Sequence, residues 1–140
     1  MNRTHSFRCG AAGAAIAVAT GAFGAHALRD RLTPGDLETW ELAVRYLMFH
    51  ALALVAIAAL PREGRRIAVA STLLAIGAAL FSGTLFVLVL SGARWLGAVT
   101  PIGGTLMIAG WVVLATARVT PSSARTASAP AASAACAPEP

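Results

Sequence analysis

Residues 67–93, IAVASTLLAIGAALFSGTLFVLVLSGA, run for 27 positions between Arg66 and Arg94 without one charged side chain. A helix needs about 20 mostly apolar residues to cross the hydrocarbon core of a bilayer, and this stretch is longer than that. The stretch therefore predicts a membrane-spanning helix.

The composition of the whole chain supports the same interpretation. Hydrophobic residues fill 57% of the 140 positions, charged residues fill 12%, and the mean hydropathy is +0.71. Soluble globular domains do not reach such values. Two further uncharged gaps, of 17 and 23 residues, separate Arg8 from His26 and Arg94 from Arg118. We therefore expect an integral membrane protein.

The apolar segments predict an all-α fold, a four-transmembrane-helix bundle. Its spans are expected at about residues 7–28, 41–60, 67–90 and 96–117 of a membrane domain that covers residues 1–118. Residues 119–140 are rich in Pro, Ser and Ala and contain no aromatic side chain, so we expect a disordered cytoplasmic tail.

Two Thr-Pro pairs indicate where helices begin. Thr33 and Pro34, with Asp36 three residues after the threonine, form an N-terminal capping signal, so helix 2 is expected to start with an amphipathic interfacial segment. Thr100 and Pro101 repeat the pair in the fourth segment, and Thr100 is expected to cap that helix. The residues between Arg94 and this cap then form a short interfacial piece.

The arginines predict the orientation of the chain. All eleven basic residues are arginine, and they stand at the edges of the apolar runs, which indicates contact with lipid head groups and not with nucleic acid. The side that holds both termini carries Arg3, Arg8, Arg62, Arg65, Arg66, Arg118 and Arg125. The opposite side carries Arg29, Arg31, Arg45 and Arg94, diluted by Asp30, Asp36, Glu38 and Glu41. The positive-inside rule predicts that both termini are cytoplasmic (N-in/C-in).

The stretch TGAFGAHALRD (residues 20–30) has two interpretations. Ala25-His26-Ala27 has the small-x-small form of a signal-peptidase site, and the alternative is a retained first helix. The small residues of this segment form a stripe that lets a neighbouring helix approach closely, so we expect the helix to be retained. The predicted helix-packing residues are Gly10, Gly13, Ala17, Gly21 and Gly24, together with Gly83, Gly103 and Gly104.

Four motifs carry a family resemblance. They are GAFGAHAL (residues 21–28), RYLMFHALAL (45–54), LFSGTLF (80–86) and RWLGAVTPIGG (94–104). In this order and spacing the chain resembles the YgdD-like family of small bacterial inner-membrane proteins, a domain-of-unknown-function family with a eukaryotic relative. The resemblance implies a four-span helical protein with no established biochemical activity. Leu47 stands where the family often has a glutamine, so an amide network with His50 is in doubt here.

The candidate functional residues are the polar groups near or inside the spans: His26, Arg45, Tyr46, His50, Arg94, Thr100 and Pro101. The simplest interpretation of each histidine is a neutral imidazole that is hydrogen-bonded across helices, and ligation of one haem by both is the alternative. A zinc site lacks a third ligand, and we expect neither a metal nor another cofactor.

Arg45 also has two interpretations. It is either an arginine that reaches towards the membrane interface or part of an outward-opening pocket beneath the turn at Thr100 and Pro101. That pocket is expected to join Arg45 with His26, Tyr46 and His50, and to bind a lipid head group, a small anion or a partner helix.

Three classes of function follow. The favoured one is an accessory or assembly protein that acts through helix packing in the lipid bilayer, on other membrane proteins or on a second copy of itself. The alternative is a small-solute or ion transporter or channel subunit that works as an oligomer. The third, an enzyme acting on lipid, has no visible nucleophile and base, no metal triad and no acidic cluster, so we do not expect an enzyme.

Overall fold

The computed structural model describes residues 1–60 and 64–117, and this part of the chain contains helices and no strand. Four segments, Arg3–Leu28, Pro34–Ala59, Arg65–Ser91 and Arg94–Ala115, are long and apolar enough to cross a membrane. The predicted all-helical fold is confirmed for the described residues, with four candidate membrane spans. The predicted tail at residues 119–140 lies outside the described residues.

The segments divide into four α-helices and two short pieces of other helical geometry. They are α1 (Arg3–Phe23), a π-helical piece (Gly24–Leu28), α2 (Pro34–Ala59), α3 (Arg65–Ser91), a 3-10 piece (Arg94–Ala98) and α4 (Thr100–Ala115). The 3-10 piece corresponds to the short interfacial piece predicted before the fourth helix.

Side-chain caps begin the first two helices. The Asn2 side chain accepts a hydrogen bond from the His5 amide at 2.8 Å, so α1 starts before the apolar run that predicted it. The Thr33 hydroxyl accepts the Asp36 amide at 3.2 Å and donates to the Asp36 carboxylate at 2.7 Å. The predicted start of helix 2 is confirmed.

The expected cap of the fourth helix is wrong. Val99 occupies the N-cap position of α4 in right-handed helical geometry, without a side-chain cap. Thr100 is instead buried, and its hydroxyl donates to the Leu96 carbonyl at 3.3 Å and lies 3.1 Å from the Thr84 hydroxyl. The 3-10 piece leads directly into α4, so the chain has no extended residue at which a cap would form.

The four helices pack in series. α1 lies against α2, α2 against α3, and α3 against α4, and α1 also touches α3. No Cα atom of α4 lies within 8 Å of a Cα atom of α1 or α2 among the described residues. α1 and α4 are therefore edge helices, each supported mainly by one neighbour.

Two apolar clusters hold this row together near its opposite ends. Both clusters join side chains from consecutive helices, and their buried members are Leu28, Trp40 and Val89 in one and Leu54, Ile57 and Leu74 in the other. Between the clusters the helices meet through small residues, and Ala17 and Ala43 are fully buried.

Glycines allow backbone contact at two of the interfaces. A Cβ atom on Gly10 would lie 2.7 Å from the Ala51 carbonyl oxygen, and one on Gly103 would lie 2.6 Å from the Phe81 nitrogen. Gly24 faces the Trp40 indole in the same way, at 2.6 Å. These distances leave no room for a side chain, so α1 approaches α2, and α3 approaches α4, only because these residues are glycine.

The other predicted packing glycines differ in how closely they are approached. A Cβ atom added to Gly13 would lie 3.2 Å from Ala51, and one added to Gly21 would lie 3.3 Å from Val44. A Cβ atom added to Gly104 would lie 4.0 Å from Phe81. The prediction for Gly83 is wrong, because a Cβ atom there would meet nothing within 4 Å. Two glycines that the sequence analysis missed are close-contact positions of the α3–α4 interface, namely Gly77 and Gly110.

Candidate functional site

His50 is the most deeply buried of the candidate polar residues in α2, with 7% of its surface exposed. Its Nδ1 atom lies 2.8 Å from the Tyr46 carbonyl oxygen, and the Trp111 indole donates to its Nε2 atom at 3.3 Å. A carbonyl only accepts and an indole N–H only donates, so Nδ1 carries the proton and the imidazole is neutral. The predicted neutral, hydrogen-bonded imidazole therefore fits His50.

This arrangement gives no support to the haem alternative. Both ring nitrogens of His50 have protein partners. His26 lies in the π-helical piece that follows α1, and it is exposed. Among residues 1–60 and 64–117, no group of three or more His, Cys, Asp or Glu side chains is placed to hold a metal ion.

An aromatic cluster surrounds His50. The Tyr46 ring stacks on Phe81 of α3 at a centroid distance of 4.6 Å, and the His50 and Trp111 rings are 6.1 Å apart. The indole of Trp111 thus links α4 to α2 although the backbones of these helices stay apart. Side chains alone join the two helices at this level.

Arg45 lies on the other side of α2, towards α1. It lines a groove of about 250 Å³ together with Glu41, Trp40 and Val44 of α2 and with Gly21, Gly24 and Ala25 at the end of the first segment. The Trp40 indole is buried there and donates to the Thr20 carbonyl oxygen at 2.9 Å. Trp40 therefore forms a fixed wall of the groove.

The single polar pocket predicted from the sequence is wrong, because successive side chains of a helix point in different directions. Arg45 faces the groove beside Ala25, whereas Tyr46 and His50 face α3 and α4. Thr100 is bonded to Thr84 within the α3–α4 interface. The remaining candidates, Arg94 and Pro101, are exposed on the 3-10 piece and at the start of α4.

Another interhelical hydrogen bond lies at the centre of the row. The Ser82 hydroxyl is buried and donates to the Ala43 carbonyl of α2 at 2.8 Å. Two polar residues of LFSGTLF therefore join helices, Ser82 by this bond and Thr84 by its contact with Thr100. These groups bond to protein atoms and stabilise the packing.

The two tryptophans were not predicted as partners of polar groups. Trp40 and Trp111 each carry one N–H donor, and an indole inside a membrane domain needs an acceptor. Trp111 uses the His50 side chain, whereas Trp40 uses the Thr20 backbone carbonyl. The sequence therefore indicated that each indole needs an acceptor, but it did not indicate which one.

The geometry defines a class: a small helical membrane protein with four candidate spans, whose buried polar side chains include three that join helices. The chain belongs to the family described as "Protein of unknown function (DUF423)", whose model matches residues 20–104. The expectation of a membrane family of unknown function is confirmed at this level.

Relatives of this family are named as membrane proteins. A "UPF0382 membrane protein" of Staphylococcus epidermidis is 46% identical over 106 residues, which cover 75% of this chain and 87% of the relative. The "UPF0382 membrane protein SH2409" of Staphylococcus haemolyticus is 45% identical, covering 71% and 82% of the two chains. The "UPF0382 membrane protein YwdK" of Bacillus subtilis is 39% identical, covering 79% and 92%. These names give no enzymatic activity. No solved structure matches this chain.

Proposed function

We propose that this protein is an accessory or assembly component of the bacterial inner membrane that acts by packing its edge helices against other membrane proteins. The serial arrangement carries the proposal, because α1 and α4 are each supported mainly by one neighbouring helix among the described residues. The exposed side of α1 presents Ala11, Ala15 and Ala19 at four-residue spacing. Small residues at this spacing are typical of helix–helix contacts in membranes.

The interior of the row supports a packing role over a transport role. The buried polar side chains of the described residues are Ser6, His50, Ser71, Ser82 and Thr100, and no Asp, Glu, Lys or Arg is among them. His50, Ser82 and Thr100 bond to neighbouring helices. Because these buried polar groups are bonded within the protein, a transporter or channel subunit would need its polar path at an interface between copies. The transporter or channel alternative therefore has less support than the packing role.

The charge distribution supports the proposed orientation, in which both termini are cytoplasmic, as the positive-inside rule predicts. The four acidic residues that the structure describes, Asp30, Asp36, Glu38 and Glu41, lie between the π-helical piece and the middle of α2. The opposite end of the row holds Arg3, Arg65 and Arg66. Counted with Arg8, Arg62, Arg118 and Arg125, which a four-span topology assigns to the same side, this end has seven of the eleven arginines and is proposed to be cytoplasmic.

Photo-cross-linking in native membranes tests the packing role. Ile16 on α1 and Ile76 on α3 are each 53% exposed, so they are matched for side chain and exposure but lie on an edge helix and a central helix. A photoreactive residue at position 16 is expected to give a discrete protein adduct, and the same residue at position 76 is expected to give mainly lipid adducts.

The adducts are identified by mass spectrometry. Equal labelling of lipid alone at positions 16, 76 and 108 would contradict the proposal, because it would show that the edge helices face only the bilayer. Position 108 samples the other edge, since Ile108 of α4 is 67% exposed.

A further inference from the structure

Two grooves meet at the part of α2 that follows Pro34. One is the groove beside Trp40, and the other, of about 390 Å³, is lined by Gly35, Glu38, Thr39 and Leu42. Glu41 and Arg45 line both grooves, and both side chains are exposed. A ligand bound in these grooves would therefore contact an anionic and a cationic side chain that lie next to each other.

The two charged residues lie at different depths along the axis of α2, with Arg45 deeper than Glu41. Arg45 lies 14 residues before Ala59, about 21 Å along the helix axis, and Glu41 lies one turn farther out, at about 27 Å. The hydrocarbon core of a bilayer is about 30 Å thick, so the backbone of Arg45 lies below the head groups when Ala59 stands at the opposite boundary. A guanidinium rooted there is costly unless it reaches an anion at the interface.

The Glu41 carboxylate does not supply that anion. Glu41 and Arg45 have the i,i+4 spacing of a helical ion pair, yet neither forms a side-chain hydrogen bond or ion pair within residues 1–60 and 64–117. Both groups are left to bind a ligand at the lipid surface. A soluble ligand does not reach the depth of Arg45 as readily as a lipid does, because the surrounding surface faces hydrocarbon.

We propose that this surface binds the phosphoethanolamine head group of a phospholipid, with the Arg45 guanidinium on the phosphate and the Glu41 carboxylate on the ammonium. In such a lipid the phosphate is nearer to the acyl chains and the ammonium is farther out. Arg45 and Glu41 have the complementary order along α2. Guanidinium–phosphate and ammonium–carboxylate contacts are both charge-assisted hydrogen bonds.

The remaining lining residues favour this head group over an anionic one. Glu38 lies farther out on the same groove and adds a second carboxylate, which attracts an ammonium and disfavours a head group of net negative charge. Gly21 and Gly24 leave the inner groove free of bulk beside the Trp40 wall. The head group thus has a cation below, carboxylates above and an apolar wall beside it.

Native mass spectrometry of the purified full chain tests the proposal. The protein is equilibrated with equal amounts of phosphatidylethanolamine, phosphatidylglycerol and phosphatidylcholine of identical acyl chains. Phosphatidylethanolamine is expected to be retained about tenfold more than the other two, the ratio that one charge-assisted contact supplies. Equal retention of the three lipids would overturn the proposal.

Two single variants separate the two contacts. Arg45→Gln is expected to lower retention of phosphatidylethanolamine about tenfold, whereas Glu41→Gln is expected to remove the preference over phosphatidylglycerol. Arg29→Gln and Asp30→Asn are matched controls, because both residues are exposed near this end of the row and line neither groove. An equal loss in the controls would show a general charge effect and contradict the proposal.

A charge exchange distinguishes a lipid site from a simple ion pair on the helix. The double variant Glu41→Arg with Arg45→Glu keeps two opposite charges at i,i+4 but inverts their depth. Lipid retention is expected to be lost while circular dichroism and thermal unfolding show a folded protein. If the lipid is retained, the order of charges is irrelevant and the proposal is wrong; if the double variant does not fold, the two single variants decide.

Discussion

At the scale of single residues, His50 shows how a titratable side chain is accommodated in the middle of a membrane domain. The Tyr46 carbonyl accepts its Nδ1 proton, and the Trp111 indole occupies its Nε2 lone pair. A neutral imidazole with both nitrogens satisfied avoids the cost of an unpaired polar group in an apolar environment. His50 therefore links α2 to α4 through a side-chain hydrogen bond.

Replacing the donor tests this role. Trp111→Phe keeps an aromatic ring but leaves Nε2 without a partner, and we expect the free energy of unfolding in detergent to fall by about 1 kcal/mol. Trp95→Phe is the control, because Trp95 lies on the 3-10 piece and is 70% exposed. An equal loss in both variants would show that the Trp111 indole N–H contributes nothing specific.

At the scale of elements, α3 and α4 approach closely only where a glycine carries a hydrogen atom in place of a side chain. Gly103→Ala would bring a Cβ atom to 2.6 Å from the Phe81 backbone nitrogen, and a backbone atom cannot move aside as a side-chain end can. We expect a destabilisation of about 1–3 kcal/mol from the overpacked interface. Thermal unfolding and the yield of folded protein in detergent measure it.

Gly83→Ala is the matched control for this substitution. Gly83 lies within α3, and a Cβ atom there would meet nothing within 4 Å. The substitution should be neutral, or stabilising by at most about 1 kcal/mol, because alanine favours the helix. Destabilisation of both variants to the same extent would mean that glycine is needed for a reason other than helix contact.

The helices themselves were predictable from the sequence, but their partners were not. Uncharged runs such as residues 67–93 and the capping residues Thr33 and Asp36 are local signals, and each appears in the structure where the sequence places it. Contacts between helices have no such signal, because an apolar side chain faces lipid as readily as it faces another helix. For that reason Gly83 was assigned to an interface that it does not occupy, and the His50–Trp111 pair was missed.

At the scale of the whole molecule, serial packing separates the two polar surfaces that the sequence analysis had joined. Tyr46 and His50 belong to the side of α2 that meets α3 and α4, whereas Arg45 belongs to the side that meets α1. The first surface holds the row together, and the second is open at the membrane boundary. A variant of His50 should therefore change stability, and a variant of Arg45 should change what binds.

The orientation of the row decides which leaflet supplies the ligand of Arg45. With four spans, the turn near Ser91 lies on one side of the membrane and Gly64 lies on the other, the side proposed to be cytoplasmic. In a background in which both native cysteines are replaced by serine, Ser91→Cys is expected to react in intact cells with a membrane-impermeant maleimide. Gly64→Cys is expected to react only after the cells are opened. The reverse pattern would place the Arg45 groove in the cytoplasmic leaflet, and labelling of both positions in intact cells would contradict a single fixed orientation.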